Sequence, residues 1–251
     1  MRVFRGRGLR APVLTMIKED ALREETLRIH ARYSIEIVEA MGFCPWAAAA
    51  RSAGRVRTLV LLGSQPDPEQ ACSHVRALAS DESTDIGLLI FPELMLSRLD
   101  FQHFAASVRS SYEPAGTRER DGFALADFHP DAAPDLESAA RLVPFIRRSP
   151  DPTLQLVRYS ALEAARRGEP SGTRFVDASS LAQSGLETLA ESSAPLHMRL
   201  AQANLETVLR VGVEPLAALL DDILRDRDQS YARLGLPPPP WSPLHGGRAS
   251  G

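Results

Sequence analysis

The stretch "DIGLLIFP", residues 85–92, decides the fold. Its apolar residues run without the alternation that marks a half-wetted strand, so both faces need cover and the segment predicts a central strand. Upstream, "RVRTLVLL" (55–62) sets Val56, Thr58, Val60 and Leu62 against Arg55 and Arg57 before becoming apolar throughout, which predicts another strand. Downstream, "GFALADFHP" (122–130) predicts a third strand and "TLQLVRY" (153–159) a shorter fourth.

Helical patterns fill the gaps between these strands. The turn "GSQPDP" leads into a helix over 68–80, and Ser97, a good N-cap, opens one over 97–113. Residues 135–146 read as a helix despite Pro144. At the front, Leu22, Thr26, Ile29, Tyr33, Ile37 and Ala40 recur in steps of three and four, which predicts a helix over 18–41 with one buried face. It should stop near Gly42, because Pro45 disfavours a helical residue before it, and "WAAAARSAG" then predicts a short helix ended by Gly54. Residues 160–182 carry no clear period and include the polar turn "RGEPSGTR". From Gly185 to Leu234 the pattern is helical, with interruptions at Pro195, Gly212 and Pro215. The expectation is an α+β sandwich: a four-stranded mixed sheet covered by helices, with a helical C-terminal region.

With 251 residues the chain suits one large domain, placed at 18–234 between a flexible basic tail (1–17) and an extended or disordered proline-rich tail (235–251) in which Trp241 docks locally. The first 20 residues are arginine-rich and lack the apolar block of a secretory signal. A transit peptide and a basic anchoring tail are alternatives to the simpler reading, an extended start with folded structure from about Met16. A net charge of −3 argues against a dedicated nucleic-acid binder, and a hydrophobic fraction of 44% is enough for a sizeable core. No apolar run approaches the roughly 18 residues that a membrane span needs. Two cysteines, Cys44 and Cys72, make neither a disulfide framework nor a zinc quartet, so reduced thiols and a cytoplasmic location are expected, with no metal site.

Three places draw chemical attention. His129 ends the third strand, where open sheets put ligand crevices, and Pro130 stiffens the backbone behind it. An imidazole there suits general acid/base work; it equally suits a strand-closing hydrogen bond to a carbonyl. Arg147, Arg148 and Ser149 precede Pro150 and Pro152, which hold the bend extended; guanidinium forks and a hydroxyl match carboxylate or phosphate oxygens, against the alternative of a solvated basic turn. Cys44, in "GFCPW", is a nucleophile if a cation lowers its pKa, a thiolate ligand to haem iron, or a small buried apolar residue. Cys72 and His74 read as structural, and His30, His103, His197 and His245 are weaker candidates. No zinc-hydrolase, phosphate-loop or Gly-x-Ser-x-Gly motif is present.

Taken in order, "GFCPWA", "FHPD" and "RRSPDPTLQLVR" resemble the signature blocks of the family catalogued as domain of unknown function 1415, found in bacteria and plastid-bearing lineages. "NLETVLRVGVEPLAALL" is similar to its closing helix, and the resemblance spans about residues 18–225. Two positions depart from the family's wording: Arg147 stands where it usually has Asn, and Gln155 where it usually has His. The resemblance implies a shared scaffold and anion-handling loop, with Cys44, His129, Arg148 and Ser149 in one site; it implies no reaction.

The leading expectation is therefore a small-molecule enzyme. Arg147 or Arg148, with Ser149 and with Arg158 of the fourth strand, would bind a carboxylate or phosphate; His129 would be the acid/base and Cys44 a nucleophile or wall residue. This requires an antiparallel pairing of the third and fourth strands, which alone brings residue 129 and the 147–149 bend to one sheet edge. One alternative is a haem-dependent redox enzyme with His129 or Cys44 as axial ligand. Another is a non-catalytic interaction module or homodimer using a stripe of Leu205, Val208, Leu209, Leu216, Leu219 and Leu220, a stripe that equally serves to cover the sheet.

Overall fold

The computed structural model describes residues 11–112, 122–166 and 195–243. Strands β1 (Val56–Val60), β2 (Ile86–Ile90), β3 (Phe123–Phe128) and β4 (Thr153–Arg158) form one mixed sheet in the order β1-β2-β4-β3. β1 and β2 run parallel, whereas β4 is antiparallel to both its neighbours. All five residues of β2 are buried, as its unbroken apolar run requires. Ile86, Leu88 and Ile90 pack on one face against Trp46 and Ala50. Leu89 faces the other way, into a cluster with Val75, Phe101, Phe104, Leu154 and Leu156.

That second face is covered by α3 (Pro68–Ala79) and α4 (Arg98–Tyr112). Asp67 caps α3 by accepting from the Gln70 N–H at 2.9 Å, and the Ser97 hydroxyl oxygen accepts from the Asp100 N–H at 3.2 Å. α3 comes close because residue 87 is glycine: a Cβ there would lie 2.9 Å from Leu156 Cδ1 and 3.0 Å from Leu78 Cδ1.

The opposite face is built from α1 (Ala11–Arg32), α2 (Ala47–Ser52), α5 (Ala139–Ile146), α6 (Tyr159–Arg166), α7 (Leu196–Val211) and α8 (Val213–Arg233). α1 begins at Ala11, inside the stretch expected as a tail, and continues into π-helical turns over Tyr33–Glu39. Leu22, Thr26, Ile29, Tyr33 and Ile37 are buried as the spacing predicts; Ala40 is exposed, because the wider π turns rotate it off the stripe. Gly42, at φ +68°, ends the run.

α7 and α8 meet at Gly212, φ +94°. Pro215 interrupts nothing: it lies in the first turn of α8, where an N–H has no intrahelical acceptor. Of the C-terminal stripe, Val208, Leu216 and Leu220 are buried in a cluster with Ile29, Tyr33 and Phe145, Leu205 packs against its edge, and Leu209 and Leu219 stay exposed. The stripe mainly covers the core.

A buried charged network ties these pieces together. The Asp151 carboxylate, just ahead of β4, accepts from Arg227 at 2.8 Å and from the Tyr231 hydroxyl at 2.8 Å. Arg227 also donates to Asp228 at 2.9 Å and to the Pro92 carbonyl at 3.0 Å, and Thr26 of α1 shares a hydrogen bond with Tyr231 at 2.8 Å. Ser242 closes the network by donating to Asp228, so the start of the C-terminal tail is docked rather than loose. Residues 1–10, the turn "RGEPSGTR", the opening of the helical stretch at Gly185 and His245 lie outside the described residues. Among the described residues no helix is long and apolar enough to cross a membrane.

Candidate functional site

The antiparallel pairing of β3 and β4 sets Phe128 opposite Thr153. His129 and the 147–149 bend therefore meet at one sheet edge, where the His129 N–H donates to the Arg147 carbonyl at 3.1 Å. The His129 side chain is buried against the Phe101 and Trp241 rings, with centroids 5.9 Å and 4.8 Å away. Its tautomer follows from its partners. The Asp131 N–H can only donate, so Nδ1 accepts it at 3.1 Å. The Leu96 carbonyl can only accept, so Nε2 carries the proton and donates to it at 3.1 Å. Burial lowers the pKa, which favours this neutral form. Acting as acid/base or as an axial ligand would require His129 to give up one of these bonds.

The arginines of the bend have different neighbours. Arg148 donates to the Pro130 carbonyl at 3.1 Å and pairs with Asp221 at 2.7 Å. Ser149 is fully buried, its hydroxyl donating to the Asp151 carbonyl at 2.5 Å. Arg158 lies over the Phe123 ring and donates to the carbonyls of Thr84 at 2.6 Å and Asp81 at 2.8 Å, closing the turn after α3. These three side chains work within the fold. Arg147 stands apart: its guanidinium lies 5.4 Å from the Phe128 ring centroid and has no hydrogen-bond or ion-pair partner among the described residues. Burial lowers its pKa, and Asp127 acts the other way.

Arg147 lines a cavity of about 300 Å³ on the sheet face opposite α3 and α4. The floor is made by Ala124, Ala126 and Phe128, alternate residues of β3, with Gln155 and Val157 of β4. The two alanines leave the space that larger side chains would fill. Phe43, Cys44 and Trp46 form one wall, Leu196 and Leu200 of α7 another. Its polar groups are few: Arg147, Gln155, the Tyr33 hydroxyl, the Cys44 thiol, Asn204 and, exposed, His197. Tyr33 donates to the Ile146 carbonyl at 3.3 Å and Asn204 to the Phe43 carbonyl at 3.4 Å. Cys44 is half-buried; burial pushes its thiol pKa up, while the amides of Trp46 and Ala47 and the Arg147 charge pull it back. A largely apolar cavity with a few convergent polar groups is the usual form of a small-molecule site.

A second hollow, of about 110 Å³, lies at the end of β3 and is lined by Arg98, Gln102, Asp127, His129 and Arg147. Val143 and Arg147 line both spaces. His129 and a guanidinium of the bend thus share a hollow, and the guanidinium is that of Arg147. Sequence reasoning passed over Tyr33, Arg98, Gln102 and Asp127. The small-residue alternation of Ala124 and Ala126 was the available signal for the cavity. Both positions that depart from the family's wording, Arg147 and Gln155, face the cavity.

Residues 29–191, more than half of the chain, match the family described as Protein of unknown function (DUF1415), and the chain belongs to that family. The matched span lies inside the 18–225 that the signature blocks indicated. No curated protein and no solved structure matches the chain.

Proposed function

We propose that this member of the DUF1415 family is a small-molecule enzyme acting on an amphipathic anion. The apolar body of the substrate occupies the 300 Å³ cavity, its carboxylate or phosphate pairs with Arg147, and Cys44 is the side chain that reacts. One observation carries the reading: a guanidinium without a partner among the described residues, on the wall of an apolar cavity. An unpaired half-buried charge is costly, and a bound anion offsets that cost where water screens less than in bulk. Guanidinium forks suit carboxylate and phosphate alike. Cys44 joins the reading because it lines the same cavity; burial raises its thiol pKa, and the Arg147 charge acts the other way, toward the thiolate. Arg148, Ser149 and Arg158 support the scaffold in this proposal, and His129 fixes the bend.

The test requires no knowledge of the reaction. Iodoacetate and iodoacetamide alkylate a thiolate by the same displacement of iodide and differ in charge. Iodoacetate should modify Cys44 of the native protein faster than iodoacetamide does, and Arg147→Met should remove that preference. Short aryl and alkyl carboxylates should compete with the alkylation in the wild type only. An iodoacetate preference that survives Arg147→Met, or no competition by any carboxylate or phosphate ester, overturns the assignment.

A further inference from the structure

We infer that the polar hollow at the end of β3, which adjoins the cavity and shares Arg147 with it, is a second binding site, one for orthophosphate. Arg98 and Gln102 reach it from the first turns of α4, Arg147 from the bend and Asp127 from β3. Neither the Arg98 nor the Arg147 guanidinium has a hydrogen-bond or ion-pair partner among the described residues, and the Asp127 carboxylate likewise makes no hydrogen bond or ion pair there. Beyond the lining, the Arg109 charge is felt at Arg147 and the Asp131 charge at His129, and the Arg109 guanidinium is engaged by the Leu125 carbonyl at 3.1 Å. His129 contributes no charge, since both ring nitrogens are bonded and the ring is neutral.

Two guanidinium groups, Arg98 and Arg147, against one carboxylate, Asp127, make the lining of the hollow cationic, and a volume of about 110 Å³ suits a small oxyanion rather than an organic body. The lone carboxylate then identifies which oxyanion. Asp127 is an acceptor and repels a fully deprotonated tetrahedral anion such as sulfate. Orthophosphate at neutral pH still carries a P–OH, which donates to Asp127 while its remaining oxygens accept from Arg98, Arg147 and the Gln102 amide. Opposite charges held in one hollow without pairing to each other are matched by a ligand that both donates and accepts.

Isothermal titration of the full chain at pH 7 and fixed ionic strength, with phosphate, sulfate and glycine as probes, tests the inference. Wild type should bind phosphate and bind sulfate at least about tenfold more weakly, the scale of one lost charge-assisted hydrogen bond. Arg98→Ala should weaken phosphate by a similar factor and leave the carboxylate competition at Cys44 intact, which separates this site from the proposed cavity. Asp127→Asn should abolish the discrimination by admitting sulfate, a gain that no unfolding defect imitates. Equal affinity for sulfate and phosphate in the wild type, undiminished phosphate binding by Arg98→Ala, or binding of glycine in preference to phosphate each overturns it.

Discussion

The backbone N–H of His129 donates to the carbonyl of Arg147 at 3.1 Å, so the histidine block and the arginine block are one piece of structure rather than two converging loops. From that point the two adjacent arginines diverge. Arg148 turns inward to Pro130 and Asp221, while Arg147 lies over Phe128 with no such partner among the described residues. The same substitution at the two positions should therefore act in opposite directions. Arg148→Met removes a charge-assisted bond and leaves the Pro130 carbonyl unsatisfied, at a cost of about 1–3 kcal/mol. Arg147→Met removes a half-buried charge while keeping the stem over Phe128, and should leave stability unchanged or raise it. Urea unfolding of both variants checks this; a larger loss for Arg147→Met than for Arg148→Met refutes it.

The second expectation concerns acid. His30 is buried beneath Tyr33, and burial pushes its imidazole down to about 4. Burial lowers His129 in the same direction, with the Leu96 hydrogen bond, Asp131 and Asp127 opposing and Arg98 reinforcing the shift. An unfolded imidazole titrates near 6.5, so below about that pH the unfolded chain takes up protons that the folded chain refuses. Stability is complete above this range and falls on acidification towards pH 4, with His30 alone contributing up to about 3 kcal/mol of the loss. Asp81 and Asp226, held down to about 2 by their hydrogen bonds, act only at lower pH. Urea midpoints between pH 7.5 and 4.5 should fall with pH, and less steeply in His30→Asn; a flat wild-type profile contradicts the argument.

How much of this could be read from the sequence follows the range of the interactions. β2 was legible because its apolar run is unbroken, so both faces need cover: Ile86, Leu88 and Ile90 take one and Leu89 the other. The buried face of α1 was legible through Ile37, but the π turns that expose Ala40 were not, because they answer to packing rather than to spacing. The edge shared by His129 and the bend turned on the direction of β4, which the sequence left as a condition and which the structure shows to be antiparallel to β3. Which arginine faces the cavity did not. Arg147 and Arg148 are identical in sequence, and their difference is made by Asp221, 73 residues beyond Arg148. The hollow lined by Asp127 was equally out of reach, since it depends on Arg98 arriving from another helix.

Asp151 is subject to the same long-range logic, and it gives a third expectation. Its two carboxylate oxygens are taken by Arg227 and Tyr231, 76 and 80 residues away, and both it and Arg227 are essentially fully buried. Arg227→Met leaves two carboxylates, Asp151 and Asp228, without their shared cation. The loss should be about 3–5 kcal/mol, as for other broken buried pairs. Chemical denaturation measures it directly. A cost below about 1 kcal/mol would mean that solvent reaches the network.

The last expectation tests the close approach of α3 to the sheet. A methyl group at residue 87 would meet Leu156 Cδ1 at 2.9 Å and Leu78 Cδ1 at 3.0 Å, both inside a packed core. The backbone at 87 is ordinary strand, so the penalty is crowding and not conformation. Gly87→Ala should cost about 1–3 kcal/mol, the usual range for overpacking. Leu156→Val removes a methylene from the crowded side at a cost of its own, about 1 kcal/mol. The double variant should then be more stable than the sum of the two losses, because the space one substitution vacates receives the other. Strict additivity in a double-mutant cycle would show that α3 has shifted to relieve the contact, and that glycine at 87 does not set the spacing between helix and sheet.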